Sequence, residues 1–67
     1  MTVRNRLKKI RHELEIDTQE EMAALLGIGR QQYNRFEQQR AQPSLETVLR
    51  IAKKLNKPVE EIVALED

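Results

Sequence analysis

The sequence predicts an all-α fold, a compact bundle of five short helices in a single domain spanning residues 1–67. Apolar residues recur at helical spacing along most of the chain, and no segment alternates apolar and polar residues as a half-buried strand does. Aromatic residues make up 3% and charged residues 34% of the 67 residues, which fits a small helical domain better than a β-sandwich. A chain of this length builds one hydrophobic core.

Helix 1 is predicted over about residues 2–14. Val3, Leu7, Ile10 and Leu14 follow one another at intervals of four, three and four residues. This spacing places their side chains on one face of an amphipathic helix, while basic residues occupy most of the other positions. The apolar face is therefore expected to pack against the rest of the bundle.

Helices 2 and 3 are predicted over residues 18–26 and 30–38. Thr18 and Glu21 form a Ser/Thr-x-x-Glu capping box, in which each side chain accepts a bond from a backbone N–H group left free at the helix start. The capping box therefore marks where helix 2 begins.

A sharp bend is predicted between helices 2 and 3. Gly27 lies at the end of helix 2, where the backbone must turn into the left-handed region. Ala23, four residues earlier, supplies a small side chain at the point of closest helix approach. Two short helices crossing over such a turn have the layout of a helix-turn-helix, here at about residues 18–38.

The outward face of helix 3 is rich in Arg, Gln and Asn. Tyr33 and Phe36 are predicted to point back at helix 2, which leaves on the other side Arg30, Gln31, Asn34 and Arg35. In the major groove Arg pairs with guanine, and Gln or Asn pairs with adenine. An ordinary solvated face is the alternative interpretation, but the position directly after the bend favours base recognition.

Helices 4 and 5 are predicted after a polar loop that ends at Ser44. Ser44 is the predicted N-cap of helix 4, and Asn56 and Pro58 separate it from helix 5, at about residues 58–65. The predicted buried stripe of helix 4 consists of Leu45, Val48, Leu49, Ala52 and Leu55.

The positive charge is concentrated in the part of the chain that holds the helix-turn-helix. Residues 1–57 contain all 12 basic and 7 of the 11 acidic residues, a net charge of +5, whereas residues 58–67 carry −4. A basic surface around the motif is what a DNA-binding domain needs to approach the phosphate backbone.

Several functional classes are excluded by composition. There is no cysteine and only one histidine, His12, so neither a metal site nor a nucleophile with its base can be assembled. No apolar run is long enough for a signal peptide or a membrane span. We therefore expect a cytoplasmic protein that is not an enzyme and has no cofactor, no small-molecule ligand and no membrane partner.

The order of these motifs closely resembles that of the Cro and phage-repressor (XRE-like) DNA-binding family. The resemblance covers residues 5–65, and its matching blocks are residues 7–11, 18–23 with Gly27, 30–37, 43–47, 51–55 and 59–62. It implies a lambda-repressor-like domain of five helices, a recognition helix in the major groove of a two-fold operator, and regulation of transcription.

The resemblance also implies particular site residues. The expected base-reading residues are Arg30, Gln31 and Arg35, with Gln32 and Asn34 beside them. The expected contacts to DNA phosphates come from Gln19, Arg40, Gln42 and Ser44. Tyr33 is added to them on a separate ground, because its hydroxyl needs a partner and a phosphate would supply one. Arg11 and Glu37 are expected to form a partly buried ion pair that ties helix 1 to the end of helix 3.

Three positions depart from the family pattern. Asp17 looks like one extra residue in the corner between helices 1 and 2. Tyr33 stands where the family usually has Ile or Val, and Gly29 replaces the common Ser or Thr cap of helix 3.

The main functional hypothesis is a repressor that binds double-stranded DNA at a palindromic operator as a homodimer, with half-sites one helical turn or roughly 34 Å apart. Val63 and Leu65 are the predicted dimer contacts, unless they only close the core of the monomer. The alternative hypothesis is a protein-interaction module, such as an antitoxin-like partner or a coactivator adaptor. Such a module would favour exposed apolar anchors on helix 3, where this chain has Arg, Gln and Asn.

Overall fold

The computed structural model describes residues 1–66 and contains five helices and one two-stranded sheet. Their order along the chain is β1 (Thr2–Asn5), α1 (Leu7–Glu13), α2 (Gln19–Leu26), α3 (Arg30–Glu37), α4 (Leu45–Leu55), α5 (Val59–Ile62) and β2 (Val63–Glu66). The five predicted helices are present, but the sheet makes the all-α prediction wrong at both ends of the chain. Within the described part, no helix has the length and apolar character needed to span a bilayer.

The sheet replaces the first part of the predicted helix 1. Strands β1 and β2 pair antiparallel, with Thr2 opposite Glu66 and Asn5 opposite Val63. Helix α1 begins only at Leu7, whose N–H donates to the side-chain oxygen of Asn5 at 3.2 Å. Each strand has four residues and pairs with the opposite end of the chain, so neither shows a pattern long enough to detect in sequence.

Helix 5 is correspondingly shorter than the predicted residues 58–65. It ends at Ile62, and Val63 already has extended backbone angles, φ −134° and ψ 152°. The backbone N–H of Arg6 donates to the carbonyl oxygen of Ile62 at 2.8 Å, which brings the two ends of the chain together. Val63 and Leu65 therefore lie in strand β2 and not on a helix.

The predicted bend between α2 and α3 is confirmed. Thr18 caps α2 by accepting a bond from the N–H of Glu21 at 3.1 Å. Gly27 ends the helix with a φ of +71°, and the N–H of Ile28 then donates to the carbonyl oxygen of Ala23 at 2.9 Å. This closing bond turns the chain directly into α3.

The core contains apolar side chains from all five helices: Leu7, Ile10, Met22, Ala23, Leu26, Tyr33, Phe36, Val48, Ile51, Ala52 and Ile62. In α4 the predicted stripe is partly wrong. Leu45 and Leu49 are 73% and 52% exposed, whereas Ile51, which was not included, is buried. Two apolar stripes overlap on this helix, and packing against the other helices turns the Val48 and Ile51 side inward.

Both ends of α4 lie where the sequence predicts them. Ser44 is the N-cap, and its hydroxyl accepts a bond from the N–H of Thr47 at 3.2 Å. Asn56 ends the helix in the left-handed region with a φ of 55°, and Pro58 precedes α5. These local signals need no tertiary contact to act.

Replacing Gly27 tests the bend. The Gly27→Ala variant is expected to lower the free energy of unfolding by about 1–2 kcal/mol, because a Cβ in a left-handed conformation is strained and would lie 3.1 Å from Nζ of Lys54. Urea unfolding measures the change. In the control, Gly29→Ser, the new Cβ has open space and the hydroxyl can cap α3. The prediction fails if both variants are as stable as the wild type.

Candidate nucleic-acid interface

Helix α3 buries one side and exposes the other. Tyr33, Phe36 and Glu37 are buried. The predicted base-reading residues lie elsewhere on the helix: Arg30, Gln31, Gln32 and Arg35 are exposed and Asn34 is half-buried. The buried residues pack α3 against the rest of the domain. The exposed polar residues can contact a ligand.

A buried ion pair connects α3 to α1. The guanidinium of Arg11 donates to the carboxylate of Glu37 through Nε at 2.7 Å and through Nη2 at 3.3 Å. Its third nitrogen, Nη1, donates to the carbonyl oxygens of Ile16 and Asp17, both at 3.2 Å. Arg11 therefore joins α1, the α1–α2 corner and the end of α3, and the extra residue Asp17 contributes a backbone oxygen to it.

Gln19 extends this ion pair towards the polar face of α3. Its amide nitrogen donates to Glu37 at 2.9 Å and to the side-chain oxygen of Asn34 at 3.4 Å. Burial alone would raise the pKa of Glu37, but the hydrogen bonds from Arg11 and Gln19 outweigh it and hold the pKa below its ordinary value. The carboxylate is consequently ionised at neutral pH.

The predicted phosphate contact of Tyr33 is wrong. Tyr33 is fully buried, and its hydroxyl has no hydrogen-bond partner within residues 1–66. Burial, reinforced by the carboxylate of Glu37, raises the pKa of the hydroxyl. The ring lies in the core, so the hydroxyl is not available to a DNA backbone.

The loop after α3 holds three further predicted phosphate contacts. Arg40 is exposed, and Ser44 is exposed although its hydroxyl caps α4. Gln42 is half-buried and lies between two further amides, since it accepts from Asn5 and donates to Gln39, both at 2.9 Å. Asn5 and Gln39 cannot be predicted from the sequence, because no local pattern marks an amide that bonds to a distant segment.

The arginines of α3 and of the loop after it differ in their ion-pair partners. Arg30 forms an exposed ion pair with Glu20, at 3.4 Å and with both side chains more than 70% exposed. Arg35 and Arg40 have no carboxylate within ion-pair distance anywhere in residues 1–66. Their positive charges are therefore available to an anionic partner.

The predicted dimer residues lie on the sheet. Val63 is half-buried and packs against the core, whereas Leu65 is 64% exposed. Leu65 pairs across the sheet with Val3, which is 43% exposed. The two form an apolar pair that the rest of the monomer does not cover.

A comparison with protein-family models agrees with this geometry. A model described as Helix-turn-helix matches residues 7–62, from the start of α1 to the end of α5. The chain belongs to this family, the Cro and phage-repressor (XRE-like) helix-turn-helix regulators. It is thus a DNA-binding regulatory domain of a family that is not typically enzymatic. No curated protein matches the sequence.

Removing the charge of Glu37 tests the buried ion pair. Glu37→Gln is expected to lower the free energy of unfolding at neutral pH by about 3 kcal/mol, because the buried charge of Arg11 loses its partner. The lowered pKa of Glu37 means that its contribution is present above the unfolded-state pKa of about 4.3 and is lost as the pH falls through the lower folded-state pKa. The difference between wild type and variant should therefore shrink in acid.

Urea unfolding at a series of pH values measures this difference. The control is the double variant Arg11→Met with Glu37→Leu, which should lose less stability than Glu37→Gln because it leaves no buried charge unpaired. A difference that stays constant down to the lowest pH would contradict the assigned role of the carboxylate.

Proposed function

We propose that the protein is a transcriptional repressor that binds a palindromic operator as a homodimer. The observation that carries this proposal is the exposed face of α3, which presents two arginines and three amide side chains and no apolar anchor. Side chains of this kind pair with base edges in the major groove. Family membership supports the same assignment, because these domains are DNA-binding regulators.

In this proposal α3 lies in the major groove and reads bases through Arg30, Gln31 and Arg35, with Gln32 and Asn34 beside them. Arg35 is free to bind, since it has no carboxylate partner within the described residues. Arg30 must leave Glu20, but an exposed ion pair contributes about 0–1 kcal/mol, so the exchange costs little.

Phosphate contacts would lie on both sides of this helix. Arg40 and Ser44 lie in the loop after α3, and Gln42 has a second amide hydrogen that makes no bond to residues 1–66. On the other side, Gln19 at the start of α2 can exchange its 3.4 Å bond to Asn34 for a phosphate oxygen. Such contacts set position and orientation, whereas the bases set specificity.

Dimerisation would use the apolar pair of Leu65 and Val3, with Val63 beside Leu65 on the same face of β2. Covering an exposed apolar surface is favourable in water, and two copies related by a two-fold axis would present two recognition helices to adjacent major grooves. Half-sites roughly 34 Å apart match this arrangement. A dimer bound at a promoter would then block RNA polymerase.

Selection of bound sequences from a randomised duplex pool at about 150 mM salt tests the proposal, followed by the stoichiometry of the selected complex. A palindromic consensus bound by two chains is the expected result. If a well-folded protein enriches no sequence, the DNA-binding role is refuted and the protein-interaction hypothesis takes its place.

A separate experiment on the free protein tests the dimer surface. Leu65→Arg should abolish dimerisation in sedimentation experiments without DNA, because it places a charge in the apolar pair. Leu49→Arg is the matched control, since Leu49 is similarly exposed but lies on α4. If Leu49→Arg abolished the dimer and Leu65→Arg did not, the interface would lie on α4 and not on the sheet.

Two arginines separate base reading from phosphate binding. Arg35→Ala should weaken operator binding by roughly 1–3 kcal/mol and relax the consensus at one position. Arg40→Ala should weaken binding to all sequences. It should also reduce the slope of log K against log salt concentration by about 0.9, the value for one phosphate contact. Binding titrations with operator and random DNA at several salt concentrations measure both effects. Equal losses on both DNAs for both variants would contradict the division of roles.

A further inference from the structure

Asn5, Gln39 and Gln42 form a hydrogen-bonded amide cluster between strand β1 and the loop after α3. Asn5 is 6% exposed, and the other two are half-buried. The side-chain nitrogen of Asn5 donates to the carbonyl oxygen of Phe36 at 2.8 Å and to Gln42 at 2.9 Å. Phe36 lies in the last turn of α3, and Gln42 lies near the end of the loop. One amide group therefore holds both ends of this loop.

Gln39 holds the start of the loop against β1. Its side-chain nitrogen donates to the backbone oxygen of Asn5 at 2.9 Å, and its side-chain oxygen accepts from the backbone N–H of Asn5 at 3.1 Å. The side chain thus bonds to Asn5 as a neighbouring strand would. The backbone of Gln39 is left-handed, with a φ of +61°, so these contacts hold the chain in a conformation that is costly for a residue with a Cβ.

The loop held in this way carries Arg40, directly after Gln39. Arg40 itself has no carboxylate partner in residues 1–66, and its backbone N–H donates to the carbonyl oxygen of Arg35 at 3.0 Å. The position of its guanidinium therefore depends on the path of the loop. That path is held at the end of α3 by the bond to Arg35 and along the loop by bonds to Asn5, a residue more than thirty positions away in the sequence.

We propose that Asn5 is a positioning residue for DNA binding, which through the amide cluster holds the loop so that Arg40 meets a backbone phosphate in register with α3. This inference rests on the proposed DNA-binding function. Asn5 does not touch DNA and acts only through the loop. Preorganisation of this kind improves binding because the loop need not be ordered when the complex forms.

The same cluster links the loop to the terminal sheet. Asn5 is the last residue of β1 and pairs with Val63 of β2, so the loop is held against a strand whose other end carries Val3. Asn5 therefore takes part both in the pairing of the two strands and in holding the loop that carries Arg40. Loss of the sheet should weaken DNA binding even though neither strand contributes a residue to the α3 face.

A double-mutant cycle between Asn5 and Arg40 tests the inference. Asn5→Ser retains a short oxygen for the N–H of Leu7 at the start of α1, but its side chain is too short to hold both Phe36 and Gln42. Operator binding should weaken on the order of tenfold, random-DNA binding should weaken equally, and the salt dependence should fall. Adding Arg40→Ala to Asn5→Ser should then cost little more, because the arginine is already misplaced.

Two further variants separate positioning from simple destabilisation. Ile62→Val shortens a buried side chain of α5 that contributes no bond to the amide cluster, so it lowers stability but should leave the full effect of Arg40→Ala intact. Gln39→Gly removes the bonds to Asn5 while suiting the left-handed backbone, so it should stay folded and show the same coupling to Arg40 as Asn5→Ser.

The outcomes separate this inference from the function on which it rests. If the wild type selects an operator but Arg40→Ala has the same fold effect in the wild-type, Asn5→Ser and Gln39→Gly backgrounds, the positioning role is overturned and the DNA-binding function stands. If the wild type binds no sequence, both are overturned. Loss of the Arg40 effect in both cluster variants, and its retention in Ile62→Val, supports the inference.

Discussion

The structure depends on the buried ion pair between Arg11 and Glu37. A charge that leaves water is tolerated only when its partners replace the lost hydration, and Arg11 directs four N–H groups at a carboxylate and two backbone oxygens. Those partners lie in α3 and in the α1–α2 corner. Helix α1, the α1–α2 corner and the end of α3 must therefore fold together. Otherwise the N–H groups of the Arg11 guanidinium are left without hydrogen-bond acceptors.

The orientation of the polar face of α3 follows from that pair. Glu37 lies on α3 beside the buried Tyr33 and Phe36, so the ion pair and the two rings set the rotation of the helix about its axis. Gln19 connects the same carboxylate to Asn34 on the polar side. On the far side, the amide cluster holds the loop with Arg40. Buried polar groups on both sides of α3 thus give a small domain a rigid binding surface.

The errors in prediction have physical causes. Helix α4 carries two overlapping apolar stripes, and its periodicity does not distinguish Leu45 and Leu49 from Ile51 as core residues. Only the position of the neighbouring helices decides which side is buried. The hydroxyl of Tyr33 needs a hydrogen-bond partner, which predicts a contact with a phosphate. The structure buries the residue instead, because the free energy gained by burying the apolar ring outweighs the cost of burying the hydroxyl. The apolar periodicity of α4 and the polar hydroxyl of Tyr33 are local properties. Which side chains are buried depends instead on the neighbouring helices.

The sequence by itself determined the features that depend on neighbouring residues. The caps at Thr18 and Ser44, the left-handed stop at Gly27 and the polar face of α3 all follow from residues within one or two turns. The tertiary structure alone decided the terminal sheet and the placement of Asn5, because the bonded segments are more than thirty residues apart and each is too short to have a recognisable pattern. Such contacts form only after the helices have packed and brought the segments together.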